Sequence, residues 1–148
     1  MEADYKNNDD LQLYDSVIEK LTIDHKSKTV QFHILKVVGR IDRNEGQNFT
    51  YRVKVGLLEF QGVVYANIPY VMEWNEWSEF YRSAIVSSSK LLEAFQQRIK
   101  DDELKHIYIG IDNDNEYNEL DIICKDYSIL LKPQEYILHD DFDWLYED

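Results

Sequence analysis

The chain has 148 residues, a hydrophobic fraction of 44% and a formal net charge of −13. This length accommodates a domain with its own core, and the many aromatic residues exclude a globally disordered chain. No apolar run approaches the roughly 20 residues that a membrane-spanning helix needs, and the acidic excess excludes a domain that binds nucleic-acid phosphates nonspecifically.

The N-terminal stretch MEADYKNNDD is polar and acidic. It lacks the basic start and apolar middle of a secretion signal, and we expect a disordered lead over residues 1–10. The single cysteine, Cys124, cannot form an intrachain disulfide, which is typical of proteins in a reducing compartment. Both observations predict a cytoplasmic protein.

The next segment predicts a β-hairpin. The run LYDSVIEKLTIDH fits either a helical face or strand alternation, and we favour a strand for its later part, residues 16–24. A polar turn, HKSK, and a β-branched run, TVQFHILKVV, follow directly. The alternation of the second run slips at Leu35, which predicts a bulge at that position.

The clearest strand follows the polar loop RIDRNEGQN at residues 40–48. Its residues alternate with period two, which predicts one buried and one solvated face in an antiparallel sheet. The predicted buried face comprises Phe49, Tyr51, Val53, Val55 and Leu57, and the solvated face comprises Thr50, Arg52 and Lys54. A further strand, GVVYANI, ends before Pro69.

Two segments show helical spacing. In YVMEWNEWSEFYRSAIV, apolar residues recur every three or four positions and predict an amphipathic helix; its β-branched end leaves a strand open for residues 70–86. Trp74 and Trp77 share one face of this helix, where they either pack in the core or form a docking surface. The segment SSSKLLEAFQQRIK predicts a second helix that begins at a serine cap.

The last third of the chain alternates again. HIYIGID predicts a strand with Ile107, Ile109 and Ile111 facing the core, and the polar turn NDNEYN follows it. The runs ELDIIC and YSILLK predict a second hairpin that closes around Lys125 and Asp126.

Together these elements predict an α+β fold. We expect a mainly antiparallel, curved β-sheet of six or seven strands, with one or two helices on one face. Short polar turns rather than helical crossovers join the strands, and no internal boundary is visible. The sequence therefore predicts a single domain over residues 1–148, with an acidic, aromatic C-terminal segment at 133–148.

Charge is distributed unevenly along the chain. Residues 1–100 contain 14 acidic and 13 basic residues, a net charge of −1. Residues 101–148 contain 15 acidic and three basic residues, a net charge of −12. Residues 20–54 contain eight basic and three acidic residues, a net charge of +5. The overall acidity favours a basic partner, because opposite fields speed encounter and suppress wrong pairings.

No motif in the sequence predicts catalysis, a metal site or a cofactor. The stretch DNDNE lacks the glycine and glutamate of a calcium-binding loop, because Tyr117 and Ile123 stand there, and it is typical of a turn. The four histidines lack metal-ligand spacing, and His33 and His106 fall on predicted solvated faces. The serines at 87–89 predict a helix start rather than an activated nucleophile. We therefore expect no enzymatic activity, metal or cofactor.

The stretch YDSVIEKLTIDHKSKTVQF contains an Asp-Ser pair, an apolar run, a turn and two further apolar positions, namely Asp15, Ser16, Ile23, Asp24, Val30 and Phe32. This pattern, within residues 14–34, resembles the opening hairpin of small bacterial immunity-type domains, including those of the immunity protein 50 family. The resemblance implies a toxin-neutralising binding protein, and it assigns no functional residues.

We therefore predict a non-enzymatic, cytoplasmic binding protein that acts as an immunity or antitoxin-like inhibitor of a basic partner such as a nuclease toxin. Carboxylates would pair with the partner's Lys and Arg side chains, while aromatic residues bury contact area. The expected partner-binding residues are Asp140, Asp141, Phe142, Asp143, Trp144 and Tyr146. Three alternatives stay open: a small-ligand-binding β-domain, an enzyme of hydrolase type that would need His, Cys or carboxylate groups converging in a cleft, and a soluble domain whose acidity serves only solubility.

Overall fold

The computed structural model of the chain describes residues 5–41, 50–68, 78–113, 116–139 and 146–147. Within these residues the elements, in chain order, are β1 (Val17–Asp24), β2 (Thr29–Ile41), β3 (Thr50–Gln61), β4 (Tyr65–Asn67), β5 (Ser78–Val86), α1 (Lys90–Ile99), β6 (Lys105–Asn113), β7 (Glu116–Cys124), β8 (Asp126–His139) and β9 (Tyr146–Glu147). All nine strands belong to one sheet with the order β4-β7-β6-β5-β1-β2-β3-β8-β9, and neighbouring strands are antiparallel.

The predicted antiparallel sheet is confirmed, and the predicted element count needs correction. The described part of the chain is largely β, with nine strands and one ten-residue helix rather than six or seven strands with one or two helices. Two of the strands, β4 and β9, contain only three and two residues. Such short strands are too brief to give an alternating pattern that sequence reading detects.

The sheet divides into two halves between β1 and β5, which are joined in the described register by one residue pair, Val17 with Glu79. The strands β1, β2, β3, β8 and β9 form one half, and β4, β5, β6 and β7 form the other. Inward-facing side chains of both halves share one core; the rings of Phe32 on β2 and Phe80 on β5 lie 5.6 Å apart. Lys125 alone carries the chain from β7 in one half to β8 in the other.

Residues 5–13 lie beside β5 beyond its junction with β1. Asp9 and Ser83 form a parallel bridge, and the Asp9 carboxylate accepts hydrogen bonds from the Leu13 N–H and the Ser83 hydroxyl, both at 3.0 Å. Leu13 is fully buried in the core. In the described part of the stretch that we expect to be disordered, the polar groups of Asp9 and Asp10 satisfy backbone and side-chain groups of β5.

The predicted helix over residues 70–86 is wrong for its described part. Ser78–Val86 forms β5, which pairs with β6 along its whole length, and the register shifts between Phe80 and Arg82. This irregularity changes the phase of strand alternation, so apolar residues from two faces recur at helix-like intervals. The preceding residues, with Trp74 and Trp77, lie outside the described residues.

The predicted hairpin around Lys125 and Asp126 is also wrong. The strand before this turn, β7, pairs with β6 and β4, whereas the strand after it, β8, pairs with β3 and β9. The hairpin of this region is formed by β6 and β7 instead, with Asn113 opposite Glu116. Both runs are apolar on one side because they line opposite walls of the same core.

The β1–β2 hairpin contains a register shift beside the predicted position, but it lies on β1, between Ile18 and Lys20, opposite Ile34 and His33. Leu35 itself is not bulged, because Ile34 and Leu35 pair consecutively with Gly56 and Val55 of β3. Leu35 is 1% exposed and packs with Val17 and Val53 in a second cluster on the outer face of the sheet. Apolar residues on both faces, rather than an extra residue, cause the slip in pattern.

Candidate functional site

The outer face of β5, β6 and β7 is the face turned away from the core. On β6, Ile107, Ile109 and Ile111 are buried in the core as predicted, and the alternate positions lie on the outer face. At one end, α1 covers this face by packing Leu92 against Ile123. Next to the helix, the N-terminal segment covers the middle of the face. The opposite end carries exposed aromatic side chains.

We define the tyrosine patch as four side chains at this exposed end, namely Tyr14, Tyr81, Arg82 and Tyr117. The three tyrosines are 48%, 38% and 46% exposed. The ring of Tyr81 lies 5.9 Å from that of Tyr14 and 5.8 Å from that of Tyr117. The guanidinium carbon of Arg82 lies 4.1 Å from the centroid of the Tyr81 ring. The Tyr14 and Tyr81 rings are tilted against each other, the Tyr81 and Tyr117 rings meet edge to face, and the Arg82 cation lies over Tyr81, so the four residues form one continuous surface.

Tyr117 is held in the patch by a glycine on the neighbouring strand. A Cβ at Gly110 would lie 2.9 Å from the Tyr117 Cζ, so only glycine leaves room for the ring to cross β6. The Tyr117 hydroxyl then lies 2.7 Å from the hydroxyl of the buried Tyr108. Burial, followed by this hydrogen bond, raises the pKa of Tyr108 above its ordinary range, so the hydroxyl stays protonated.

Tyr14 is placed by the N-terminal segment. Its backbone N–H donates to the Asp9 carboxylate at 3.3 Å, and the Asp9–Ser83 contact fixes this turn on β5. The following residue, Asp15, has a φ of +66°, a conformation that aspartate tolerates better than most residues. The neighbouring Asp15 carboxylate is the main cause that raises the pKa of Tyr14. The patch is therefore built on hydrogen-bonded backbone rather than on a free loop.

Acidic residues border the tyrosine patch. Asp15 and Glu79 both raise the pKa of Tyr14, which shows that their negative charges act on the patch. Asp112 stands opposite Tyr117 in the ladder between β6 and β7. Further along the outer face, the Glu119 carboxylate pairs with the Lys6 ammonium at 2.8 Å. An aromatic surface with an acidic border suits a partner whose contact surface is basic.

A chain of hydrogen bonds joins Ser89, His106 and Asp121 beneath the start of α1. Ser89 Oγ lies 2.8 Å from His106 Nδ1, and His106 Nε2 lies 2.8 Å from the Asp121 carboxylate. A carboxylate only accepts, so Nε2–H donates to it, and Nδ1 shares the second hydrogen bond with the Ser89 hydroxyl. Ser89 Oγ in turn accepts from the Leu92 N–H at 3.0 Å as the N-cap of α1.

This chain holds α1 on the sheet. His106 is 2% exposed, which corrects its predicted place on a solvated face, and Ser89 is similarly buried. Although the residue types are those of a catalytic triad, a buried serine that caps a helix is not accessible to a substrate. The predicted serine cap of this helix is confirmed, and it lies at the last of the three serines. The sequence alone could not reveal the contact, because Ser89, His106 and Asp121 lie on three elements.

The described residues contain no group of three or more His, Cys, Asp or Glu side chains that could hold a metal ion. Cys124 is fully buried, and burial raises its thiol pKa to about 12, so the thiolate is scarce at neutral pH. No helix in the described ranges is long and apolar enough to cross a bilayer.

The predicted partner-binding residues fall almost entirely outside the described residues. Asp140, Asp141, Phe142, Asp143 and Trp144 are not described. Tyr146 is in β9 and pairs with Leu138 of β8, so the backbone of that position belongs to the sheet. These residues therefore stay predictions from the sequence. The structure adds the tyrosine patch, which the sequence analysis missed, although a glycine in the isoleucine-rich run HIYIGID was a signal of close packing.

Comparison with known proteins adds no further assignment, since no family model, no curated protein and no solved structure matches the chain. The resemblance of residues 14–34 to immunity-type domains therefore stays a prediction from sequence. The β1–β2 hairpin that carries it is formed as predicted, with residues 25–28 as the turn. A hairpin is a common element, so its presence supports the local structure and not the family.

Proposed function

We propose that the chain is a protein-binding domain that recognises the basic surface of a partner protein through the tyrosine patch. The single observation that carries this proposal is the contiguous group of Tyr14, Tyr81, Arg82 and Tyr117, whose rings contact one another on the exposed outer face of the sheet. Tyrosine and arginine are enriched among the residues that dominate binding energy at interfaces. Rings that already pack against one another lose little conformational freedom on binding, which favours affinity.

The charge of the chain supports a basic partner. The acidic border at Asp15, Glu79 and Asp112 lies beside the patch, and residues 101–148 contribute a net charge of −12. Such a field accelerates encounter with a positively charged protein and disfavours acidic competitors. The aromatic residues would then supply buried area and the carboxylates would supply orientation and selectivity.

The proposed biological role is neutralisation of a basic partner, such as a nuclease toxin, in the cytoplasm. This role rests on the charge distribution and on the resemblance of residues 14–34 to immunity-type domains. Inhibition would occur by occlusion, with carboxylates occupying the positions that substrate phosphates take in the partner. The C-terminal acidic and aromatic residues, Asp140 to Trp144 and Tyr146, form the second contact region of this proposal.

The test begins with capture of a partner from the source cells and continues with the purified pair. We expect a basic protein that binds the wild-type chain more weakly as salt rises, because salt screens exposed charges. The double variant Tyr81→Ala, Tyr117→Ala should weaken binding at least tenfold in calorimetry. Leu130→Ala, which removes a 65% exposed side chain on β8, is the matched control and should leave affinity unchanged.

An unchanged affinity in the double variant would contradict the patch as the binding surface, as would an equal loss in the Leu130 control. An acidic partner, or binding insensitive to salt, would contradict the electrostatic part of the proposal. The C-terminal region is tested separately with Asp140→Asn, Asp141→Asn and Asp143→Asn together. This variant is preferable to truncation after residue 138, because truncation would also remove the pairing of β9 with β8.

A further inference from the structure

A cleft lies at the opposite end of β7 from Tyr117, between the β1–β2 turn and the segment around β4. Its volume is about 360 Å³, which falls within the range of small-molecule sites in proteins. The described residues that line it come from two stretches: Ile23, Asp24, His25, Lys28, Thr29 and Val30 from the hairpin, and Val63, Val64, Tyr65, Ala66 and Ile68 from the second.

The two walls of the cleft are held together by backbone hydrogen bonds. The Val63 N–H donates to the Lys28 carbonyl at 2.9 Å, and the Val64 N–H donates to the Ile123 carbonyl at 2.9 Å. Val63, Ala66 and Ile68 also pack against the main core. The cleft is therefore a preformed feature between hydrogen-bonded elements, and a ligand would not have to order its walls.

The lining divides into an apolar base and a basic rim. Val30 is buried in the core, and the lining residues from the β4 side are aliphatic except for Tyr65. The rim carries the Lys28 ammonium and the His25 ring. Among the described residues, neither side chain has an ion-pair or hydrogen-bond partner. Both groups are therefore available to a ligand.

Among the described lining residues, one carboxylate, that of Asp24, is hydrogen-bonded within the turn. Asp24 Oδ1 accepts hydrogen bonds from the backbone N–H groups of Lys26 at 2.9 Å and Ser27 at 3.2 Å. The hydrogen bonds from Ser27, followed by that from Lys26, lower the pKa of this carboxyl below its ordinary value, so it stays ionised. Asp24 Oδ1 thus serves the turn, and Lys28 is the cationic donor that the described lining offers to an anion.

We propose that this cleft binds a small amphipathic anion, a monocarboxylate with a medium-length aliphatic body. The aliphatic body would lie on Val30, Val63 and Ala66, and the carboxylate would pair with the Lys28 ammonium. The net charge of −13 does not preclude an anion, because charges more than about 8 Å away are screened at physiological salt. Residues 20–54 carry a local charge of +5. The proposal is independent of the tyrosine patch and of any protein partner.

Octanoate is the probe, and octanamide, which has the same aliphatic body without the charge, is the matched ligand control. We expect saturable binding of octanoate in the high-micromolar to millimolar range and at least tenfold weaker binding of octanamide, measured by calorimetry. Octanoate should shift the backbone amide signals of Thr29, Val63 and Ala66 in NMR spectra of the full chain. Amide shifts confined to other regions, or equal binding of the two ligands, would overturn the proposal.

Lys28→Gln tests the charged contact, and Lys26→Gln is its control. Lys26 lies in the same turn and is exposed, but it is not part of the cleft lining. We expect Lys28→Gln to weaken octanoate binding about three- to fivefold, the factor that corresponds to loss of one favourable exposed ion pair, and Lys26→Gln to change it less than about twofold. Equal effects of the two substitutions would overturn the proposal.

Ala66→Leu is the second variant, which fills the cleft without changing any charge. Its thermal transition is compared with that of the wild type to establish that it folds. In the folded variant, octanoate binding should be abolished. Unchanged octanoate binding in folded Ala66→Leu would overturn the assignment of the ligand to this cleft.

Discussion

The ring of Tyr117 crosses Gly110, and it occupies the space that any larger residue at position 110 would need. The contact joins β7 to β6 on the outer face and brings the Tyr117 hydroxyl to the buried hydroxyl of Tyr108. A glycine that weakens the middle of a strand by itself therefore supports the exposed aromatic surface. The architecture of the tyrosine patch depends on this residue as much as on the tyrosines.

Gly110→Ala should displace the Tyr117 ring and break the hydrogen bond between the two hydroxyls. We expect a loss of about 1–3 kcal/mol in the free energy of unfolding, the usual cost of overpacking a fixed position. Urea denaturation measures this loss. Gly39→Ala is the control, because a Cβ there meets only the flexible, exposed end of Arg52. A smaller loss for Gly110→Ala than for Gly39→Ala would refute the packing role of Gly110.

Ser89→Ala should destabilise the chain while Ser88→Ala should not. Ser89 caps α1 and shares a hydrogen bond with His106 Nδ1, so its loss removes the partner of the Leu92 N–H and of that ring nitrogen. The expected cost is about 1–2 kcal/mol, a typical value for a lost N-cap. Ser88 is the matched control, since it is exposed and one residue earlier in the same run. Comparable unfolding free energies for the two variants would show that the hydrogen-bonded chain does not hold the helix.

Lys36→Met should stabilise the chain at neutral pH. Burial lowers the pKa of the Lys36 ammonium below its ordinary value of 10.5, although the Asp9 charge partly opposes this. The unfolded chain therefore binds more protons between the lowered pKa and 10.5, and wild-type stability rises with pH over that window. The advantage of Lys36→Met should consequently shrink as the pH approaches 10.5.

Denaturation at several pH values measures the Lys36 effect. The control variant, Lys20→Met, removes one positive charge from an exposed position on β1. A constant difference between Lys36→Met and the wild type from neutral pH to pH 10.5 would disprove the burial effect.

Cys124 should resist thiol reagents in the native chain. With its pKa raised to about 12 by burial, about one thiol in ten thousand is ionised at pH 8. Labelling by a chromogenic disulfide should therefore require unfolding of the chain. The labelling rate should rise as denaturant takes the chain through its unfolding transition. Glutathione under the same conditions controls for reagent reactivity. Rapid stoichiometric labelling of the native chain would show that Cys124 is accessible.

The sequence predicted the elements that are specified by a local pattern of residues. The isoleucines of β6 face the core as expected, and the serine cap and apolar face of α1 are present. The prediction failed at β5, because the irregularity between Phe80 and Arg82 mixes residues of two faces into helix-like spacing. It failed again at β7 and β8, where two neighbouring apolar runs belong to opposite halves of the sheet.

The tyrosine patch was not predictable from local patterns. Its tyrosines lie in the N-terminal turn, on β5 and on β7, and the pairing of β5, β6 and β7 together with the Asp9–Ser83 contact brings them together. The hydrogen bonds of His106 were not predictable from local patterns either, because their partners Ser89 and Asp121 lie on other elements. Alternation along β6 correctly places His106 on the outer face, but α1 and residue 5 cover that face. Strand periodicity reports the side of a sheet and not what covers it.

The pairing of β3 with β8 has a consequence for how the chain is made. Phe60 pairs with Tyr127, so a ribosome releases β3 long before the strand that completes its ladder. Until then, β3 exposes a row of unpaired backbone groups, the kind of edge that recruits other nascent chains. We expect folding to be late and slow, because such distant pairings carry a high entropic cost. The strongly acidic last third is also translated last, so the growing chain must avoid aggregation before most of its charge exists.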